Sequence, residues 1–143
     1  MLGRTHPTVA VIGLGRFGRS LAIELVHRDV NVLAIDRDQD LVQSLARDLP
    51  PVVTADSTNI DALRQLHVDQ CQQAFVTIGN NLEASILTVL HLTDLDIPVI
   101  TAKAQNALSA EVLQRVGAHH IISPESERGS QIATTLAQEL MNT

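Results

Sequence analysis

Four apolar residues, Val9, Ala10, Val11 and Ile12, run straight into Gly13-Leu14-Gly15-Arg16-Phe17-Gly18 and then into a helical pattern that lasts to His27. An unbroken apolar run reads as a strand buried on both faces. Glycines spaced G-x-G-x-x-G between such a strand and a helix leave few folds open. Gly13 permits a tight turn. Gly15 lets the backbone approach a diphosphate, and Gly18 lets the helix pack close to the strand. The N–H groups and positive dipole end of that helix favour an anionic phosphate. The loop Gly13, Gly15, Arg16, Phe17 and Gly18 is therefore the candidate cradle.

A second apolar run, 30–35, ends in Asp36, which lies 18 residues beyond Gly18. A carboxylate at that strand end can accept hydrogen bonds from both ribose hydroxyls and repels a 2′-phosphate, which disfavours NADP. Its bland alternative is a surface aspartate in a turn. Arg37 follows and either stacks on adenine or forms a surface ion pair.

The chain has 143 residues, the size of one ordinary domain, and 45% are hydrophobic. It holds two Phe and no Trp or Tyr, so the core must be Leu, Ile, Val and Ala. That suits a parallel sheet covered by helices. A net charge of −6 with no basic stripe argues against nucleic acid as a partner. A single cysteine, Cys71, cannot make an intrachain disulfide, and a reducing cytosol is expected. No signal peptide is expected within 1–8, and no apolar run approaches the roughly 20 residues of a membrane span.

Strand and helix alternate throughout. Strands are expected at 8–12, 31–36, 52–55, 74–78, 97–102 and 120–123. Helices are expected at 16–27, 38–48, 59–66, 82–94 and 107–116, with a last one from about 125. Pro50-Pro51 stops the second, Ser57 or Thr58 caps the third, Asn80 or Asn81 caps the fourth, and Gly117 ends the fifth. Six βα units with right-handed crossovers make an α/β, Rossmann-like, doubly wound parallel six-stranded sheet in the order 3-2-1-4-5-6. The ligand is expected over the carboxyl ends of strands one and four. No linker divides the chain, so 1–143 reads as a single domain.

Several residues fall near that crevice. Arg16, inside the glycine loop, either binds a phosphate beyond the diphosphate, as in ATP or ADP, or is a solvated arginine. Asp56 and Ser57 follow strand three beside the expected adenine pocket. Ile78 and Gly79 end strand four, where Gly79 allows a close backbone approach. Lys103 either reaches a terminal phosphate or snorkels at the surface. Glu125 is either N-terminal helix charge or a ligand for a divalent cation. The histidines show no zinc spacing, and Cys71 lacks an activating partner.

Two helices carry more apolar surface than one core requires. In the fourth, Leu82, Ile86, Val89 and Leu90 form a stripe that Leu87 and Leu92 widen, and part of it is expected to bury against another subunit. In the last, Ile132, Ala133, Leu136, Ala137 and Leu140 share one side. That side either meets another subunit or docks back on its own sheet.

Together these residues resemble the N-terminal lobe of an RCK domain, the regulator-of-potassium-conductance module also called TrkA-N, and within it the KtrA-type gating subunits of bacterial potassium transporters. The resemblance runs from Val9 to about Leu140. It is carried by the glycine loop, Leu33-Ala34-Ile35-Asp36, Ala55-Asp56-Ser57-Thr58, Ile78-Gly79-Asn80-Asn81, Ala102-Lys103-Ala104-Gln105-Asn106 and Val116-Gly117-Ala118 through Pro124-Glu125. It implies a lobe that binds ATP, ADP or a dinucleotide. It further implies homodimers assembled as a ring, taken as octameric, under an integral membrane K+ transporter subunit at the inner face of the cell membrane. It gives Arg16 terminal phosphates, Asp36 the ribose, and Glu125 a divalent-cation site, Mg2+ or Ca2+, at a subunit interface. Such proteins usually carry a second, C-terminal lobe, which is expected to be absent from this sequence.

The function expected is a cytoplasmic, nucleotide-sensing regulatory subunit that controls K+ flux and does no chemistry. An NAD(H)-binding redox sensor on the same fold is the alternative. A dehydrogenase is disfavoured, because all six βα units build the nucleotide lobe and no residue stands out as a hydride-transfer acid or base.

Overall fold

The computed structural model describes residues 8–49 and 51–142. Residues 1–7, Pro50 and Thr143 lie outside the described residues, and with them the expectation of no signal peptide within 1–8 and the stop expected at Pro50. Six strands form one parallel sheet: β1 (Val9–Ile12), β2 (Val32–Asp36), β3 (Val52–Thr54), β4 (Gln73–Val76), β5 (Val99–Lys103) and β6 (His120–Ile122). Their order is β3-β2-β1-β4-β5-β6, as the alternation of strand and helix predicts. Register sets Ile12 opposite Ile35 on one side and Val76 on the other.

The helices are α1 (Arg16–His27), α2 (Gln39–Leu45), α3 (Ile60–Gln65), α4 (Leu82–Asp94), α5 (Ala107–Val116) and α6 (Pro124–Met141). Successive residues of a strand point to opposite faces. Ala10 and Ile12 of β1 therefore enter one core with Leu33, Ile35 and Val76, together with Val89 and Leu113 from α4 and α5. Val11 enters the other core with Ala34 of β2, Ala22 of α1 and Leu45 of α2. Each fully buried Ile or Leu contributes about 1.5–3 kcal/mol, so both faces hold the sheet and the crevice at its end is rigidly founded.

Several local expectations are corrected. The helix expected over 38–48 ends at Leu45, although Leu49 is still buried through a turn in which its N–H bonds Leu45 O. Neither Ser57 nor Thr58 caps α3. Asn59 does, its side chain accepting from Asp61 N at 3.0 Å. Ser57 turns inward, where its hydroxyl meets that of Thr88 at 2.7 Å. Of the two caps expected for α4, Asn81 is the one observed, its side chain accepting from Ala84 N. A 3-10 turn at Val68–Gln70, unforeseen in the sequence, buries Val68.

The apolar stripe expected along α4 is divided: Val89 and Leu92 are buried, and the rest of the buried face is Ser85 and Thr88. Ser85, Thr88, Val89 and Leu92 face the sheet, while Leu82 and Leu90 are 43% and 40% exposed. Small and hydroxyl side chains let α4 approach the turn after β3 closely enough for the Ser57–Thr88 bond. The last helix begins at Pro124 and buries none of its residues. Ile132, Leu136 and Leu140 are all more than half exposed, so docking of this stripe on its own sheet is not the arrangement observed. Among the described residues, no helix is long and apolar enough to cross a membrane.

Candidate functional site

A crevice of about 410 Å³ opens over the carboxyl ends of β1 and β4. The sheet order places it there, because the chain leaves these two neighbouring strands toward opposite faces. Gly13, Gly15, Asp36, Arg37, Asp56, Ser57, Ile78 and Gly79 all line it.

The three loop glycines have different physical reasons to be glycine. Gly13 has φ of 101°, and a Cβ there would stand 2.7 Å from Ile78 N. At Gly18 a Cβ would run into Gly13 O and come within 2.6 Å of Thr77 Oγ1. Both are demanded by the fold itself. Gly15 has an ordinary φ of −65° and open space where a Cβ would be. It caps α1 with no side-chain hydrogen bond, and no acid lies in the first turn. No side-chain cap and no acid thus competes with an anion for the first-turn N–H groups.

Asp36 ends β2 with its carboxylate facing this loop. Its Oδ2 accepts from Leu14 N at 2.7 Å and its Oδ1 from Asp38 N at 2.8 Å. A carboxylate has about four acceptor sites, so two bonds leave room for ribose hydroxyls. Across the crevice, Asp56 Oδ1 accepts from Thr58 N at 2.9 Å and from Thr58 Oγ1 at 2.6 Å. The Thr58 hydroxyl, its backbone N–H and the nearby Arg37 guanidinium hold the Asp56 carboxyl below its ordinary value against a small opposing effect of burial. The turn is tied to α4 by Ser57 and by His91 Nε2, 2.9 Å from Thr58 O.

Arg16, Phe17 and Lys103 do not line the crevice. Arg16 stands at the first turn of α1 beside a shallow depression with Arg19, Ser20, Ile23 and Glu24. Lys103 ends β5, its side chain only 13% exposed, and its Nζ lies 3.4 Å from Glu125 Oε1. Pairing of Lys103 with Ile122 in the sheet brings the start of α6 to this point. The Glu125 carboxyl is held below the usual range, first by backbone N–H bonding at its own helix start and then by the charge of Lys103. Divalent cations take about six or more oxygen ligands. Among the described residues no group of three or more His, Cys, Asp or Glu gathers that could hold a metal ion. Cys71 is buried, and burial, followed by Asp69, pushes its thiol up to about 11, which leaves it inert.

Two residues of the site were not singled out in the sequence. Thr77, buried one residue past β4, bonds the glycine loop. Gln105, after β5, donates from Nε2 to Gly79 O at 2.7 Å and to Asn80 Oδ1 at 2.6 Å, tying the two loops together. For Thr77 the signal was available: a polar residue at the end of the strand beside the glycine-loop strand. For Gln105 no spacing rule points to the contact.

The TrkA-N domain family matches residues 9–124. Ktr system potassium uptake protein C of Bacillus subtilis is 43% identical over 124 residues, covering 87% of this chain and 56% of that protein. Ktr system potassium uptake protein A of the same organism is 42% identical over 130 residues, covering 91% of this chain and 59% of that protein. The chain thus spans little more than half the length of these relatives. The GsuK channel, solved bound to NAD, superimposes with a TM-score of 0.74 at 18% identity, over 85% of this chain and 22% of that one. GsuK bound to ADP gives 0.73 at 18% identity, over 83% of this chain and 31% of that one. These last two likenesses establish the shared fold. With a family match across the glycine loop, the crevice and the start of α6, the chain belongs to the TrkA-N domain family.

Proposed function

We propose that the crevice binds an adenine nucleotide, ATP or ADP, and that the chain is the nucleotide-sensing lobe of a regulatory subunit that controls K+ flux through a membrane transporter. The observation that carries this is the start of α1 at Gly15, free of any side-chain cap, beside the Asp36 carboxylate that bonds Leu14 N in the same crevice. One end suits phosphate and the other suits ribose. The Ktr relatives, named for potassium uptake, support the transport setting, and GsuK, solved with ADP and with NAD, supports the ligand class.

In this reading the ligand is held and not consumed. Ligands that bind two shapes of an assembly with different affinity shift it between them. The assembly is a homodimer, built up as a ring beneath the transporter on the inner face of the membrane, with no role for nucleic acid. The exposed stripes of α4 and α6 are the faces available for it. Arg16, at the edge of the loop, meets a terminal phosphate that ATP has and ADP lacks, and Lys103 is freed to do so once Glu125 has another partner. A divalent cation, Mg2+ or Ca2+, enters only where a second subunit or the nucleotide adds oxygens to Glu125.

The test is thermal stability with saturating ATP, ADP or NADH, in the wild type and in Arg16→Ala. A ligand at about a hundred times its Kd adds about 2.7 kcal/mol, which raises the Tm of a domain this size by roughly 10 °C. ATP and ADP are expected to differ, and the difference to vanish in Arg16→Ala. Equal shifts that survive the substitution contradict a phosphate-counting sensor. Asp36 suits the alternative, an NAD(H) redox sensor, equally well; NADH displacing ATP at lower concentration selects it.

A further inference from the structure

We infer that Thr77 is a positioning residue for the phosphate-binding loop, fixing one end of the Gly13–Leu14 peptide while Asp36 fixes the other. The inference rests on the adenine-nucleotide reading of the crevice and names a residue that sets its phosphate affinity.

The sheet order makes this arrangement possible. β1 lies between β2 and β4, so the loop that leaves β1 is flanked by the ends of both. Asp36 is the last residue of β2, and Thr77 follows the last residue of β4. Thr77 Oγ1 donates to Gly13 O at 2.7 Å. Leu14 N, the other end of the same peptide unit, donates to Asp36 Oδ2 at 2.7 Å. One peptide plane is therefore gripped by two side chains from strands on opposite sides of β1.

The hydroxyl is needed at Gly13 rather than elsewhere. Thr77 Oγ1 is also 3.2 Å from Ile12 O, but that carbonyl already accepts the Thr77 N–H at 2.8 Å. A hydroxyl has one proton to give. Directed to Gly13 O, it satisfies a carbonyl beside a residue at φ of 101°, where glycine leaves the following peptide free to rotate. Thr77 is only 2% exposed, so water does not substitute readily for it. Gly18 packs against the same hydroxyl, since a Cβ there would come within 2.6 Å of it. Thr77 thereby also sets where α1 begins and where its first N–H groups point. Its action on the ligand passes through the loop.

The experiment compares wild type, Thr77→Val and Thr77→Ser by calorimetry with ATP, ADP and adenosine. Val keeps the shape and removes the donor; Ser keeps the donor. Loss of one neutral hydrogen bond is expected to weaken ATP and ADP about five- to tenfold in Thr77→Val, with adenosine changed less than about twofold and Ser restoring the phosphate ligands. Amide exchange read at 14–17 is expected to quicken in Thr77→Val while the rest of the sheet stays protected. Unchanged ATP affinity in Thr77→Val overturns the inference. So does equal weakening of ATP and adenosine, or quickened exchange across the whole sheet, since each marks a merely structural role. Should Thr77→Val not fold, the same comparison is made with Thr77→Ala, read by the same criteria. Wild type that binds neither ATP, ADP nor adenosine brings down the nucleotide reading and this inference together. Wild type that binds ATP while the variant matches it brings down the inference alone.

Discussion

Asp36, at the end of β2, and Leu14, in the loop that leaves β1 and 22 positions away in the chain, meet through a 2.7 Å hydrogen bond from the Leu14 N–H to Asp36 Oδ2. The acid expected to hold a ribose thus also holds the loop expected to hold the phosphates. Removing it is expected to damage both ends of the site together. Asp36→Ala is expected to weaken ATP, ADP and NADH about ten- to a hundredfold, as for one or two hydrogen bonds to a charged group. Titration calorimetry checks this, and undiminished binding contradicts a role for Asp36. Asp36→Asn, without the charge that repels a 2′-phosphate, is expected to narrow the preference for NADH over NADPH.

The glycines separate fold from function. At Gly18 a methyl group collides with Gly13 O and crowds Thr77 Oγ1, so Gly18→Ala is expected to lower stability by about 1–3 kcal/mol or more. At Gly15 the φ is ordinary and the space is open. Gly15→Ala is therefore expected to leave Tm nearly unchanged while nucleotide affinity falls. Denaturant melts paired with calorimetry check both. Loss of stability in Gly15→Ala, or normal binding by it, contradicts the assignment.

Asp56 links the crevice to pH. Its carboxyl is held below its ordinary value of 3.8 by Thr58. A group whose folded pKa is depressed contributes stability above its unfolded value and loses it as pH falls through the folded one. Asp56→Asn is therefore expected to be less stable than wild type near neutral pH and to lose less on acidification below about pH 4. Thermal midpoints from about pH 7 to about pH 2 read the difference. Parallel curves for the two proteins contradict it.

Much of this architecture was legible in the residues. The runs 9–12 and 32–35 read as strands buried on both faces, and the glycine spacing with Asp36 points to the crevice at their carboxyl ends. What was missed is what local pattern does not encode. The periodicity of α4 places Val89 and Leu92 on the buried face but not Ser85 and Thr88, and the Thr88 hydroxyl is buried because it meets that of Ser57 in the turn after β3. Ser57 is a good cap by type, but its hydroxyl bonds a residue 31 positions away. Thr77 and Gln105 act through contacts across loops, and such contacts depend on strand order as much as on residue type.

The outer face of α6 separates folding from assembly. None of its residues is buried, and Leu136 is 52% exposed. Leu136→Asp is expected to change stability of the single chain by less than about 0.5 kcal/mol, as for a surface position. It is expected to lower the mass of any oligomer seen by sedimentation. An oligomer of unchanged mass contradicts a role for this stripe in assembly.

The central claim is that the crevice between β1 and β4 holds an adenine nucleotide without consuming it. Titration of the wild-type protein with ATP, followed by analysis of the recovered ligand, tests it most directly. The account predicts saturable binding of one ATP per chain, competition by ADP, loss in Asp36→Ala, and ATP recovered intact. No heat with any adenine nucleotide up to millimolar concentration, or ATP returned as ADP and phosphate, would contradict it.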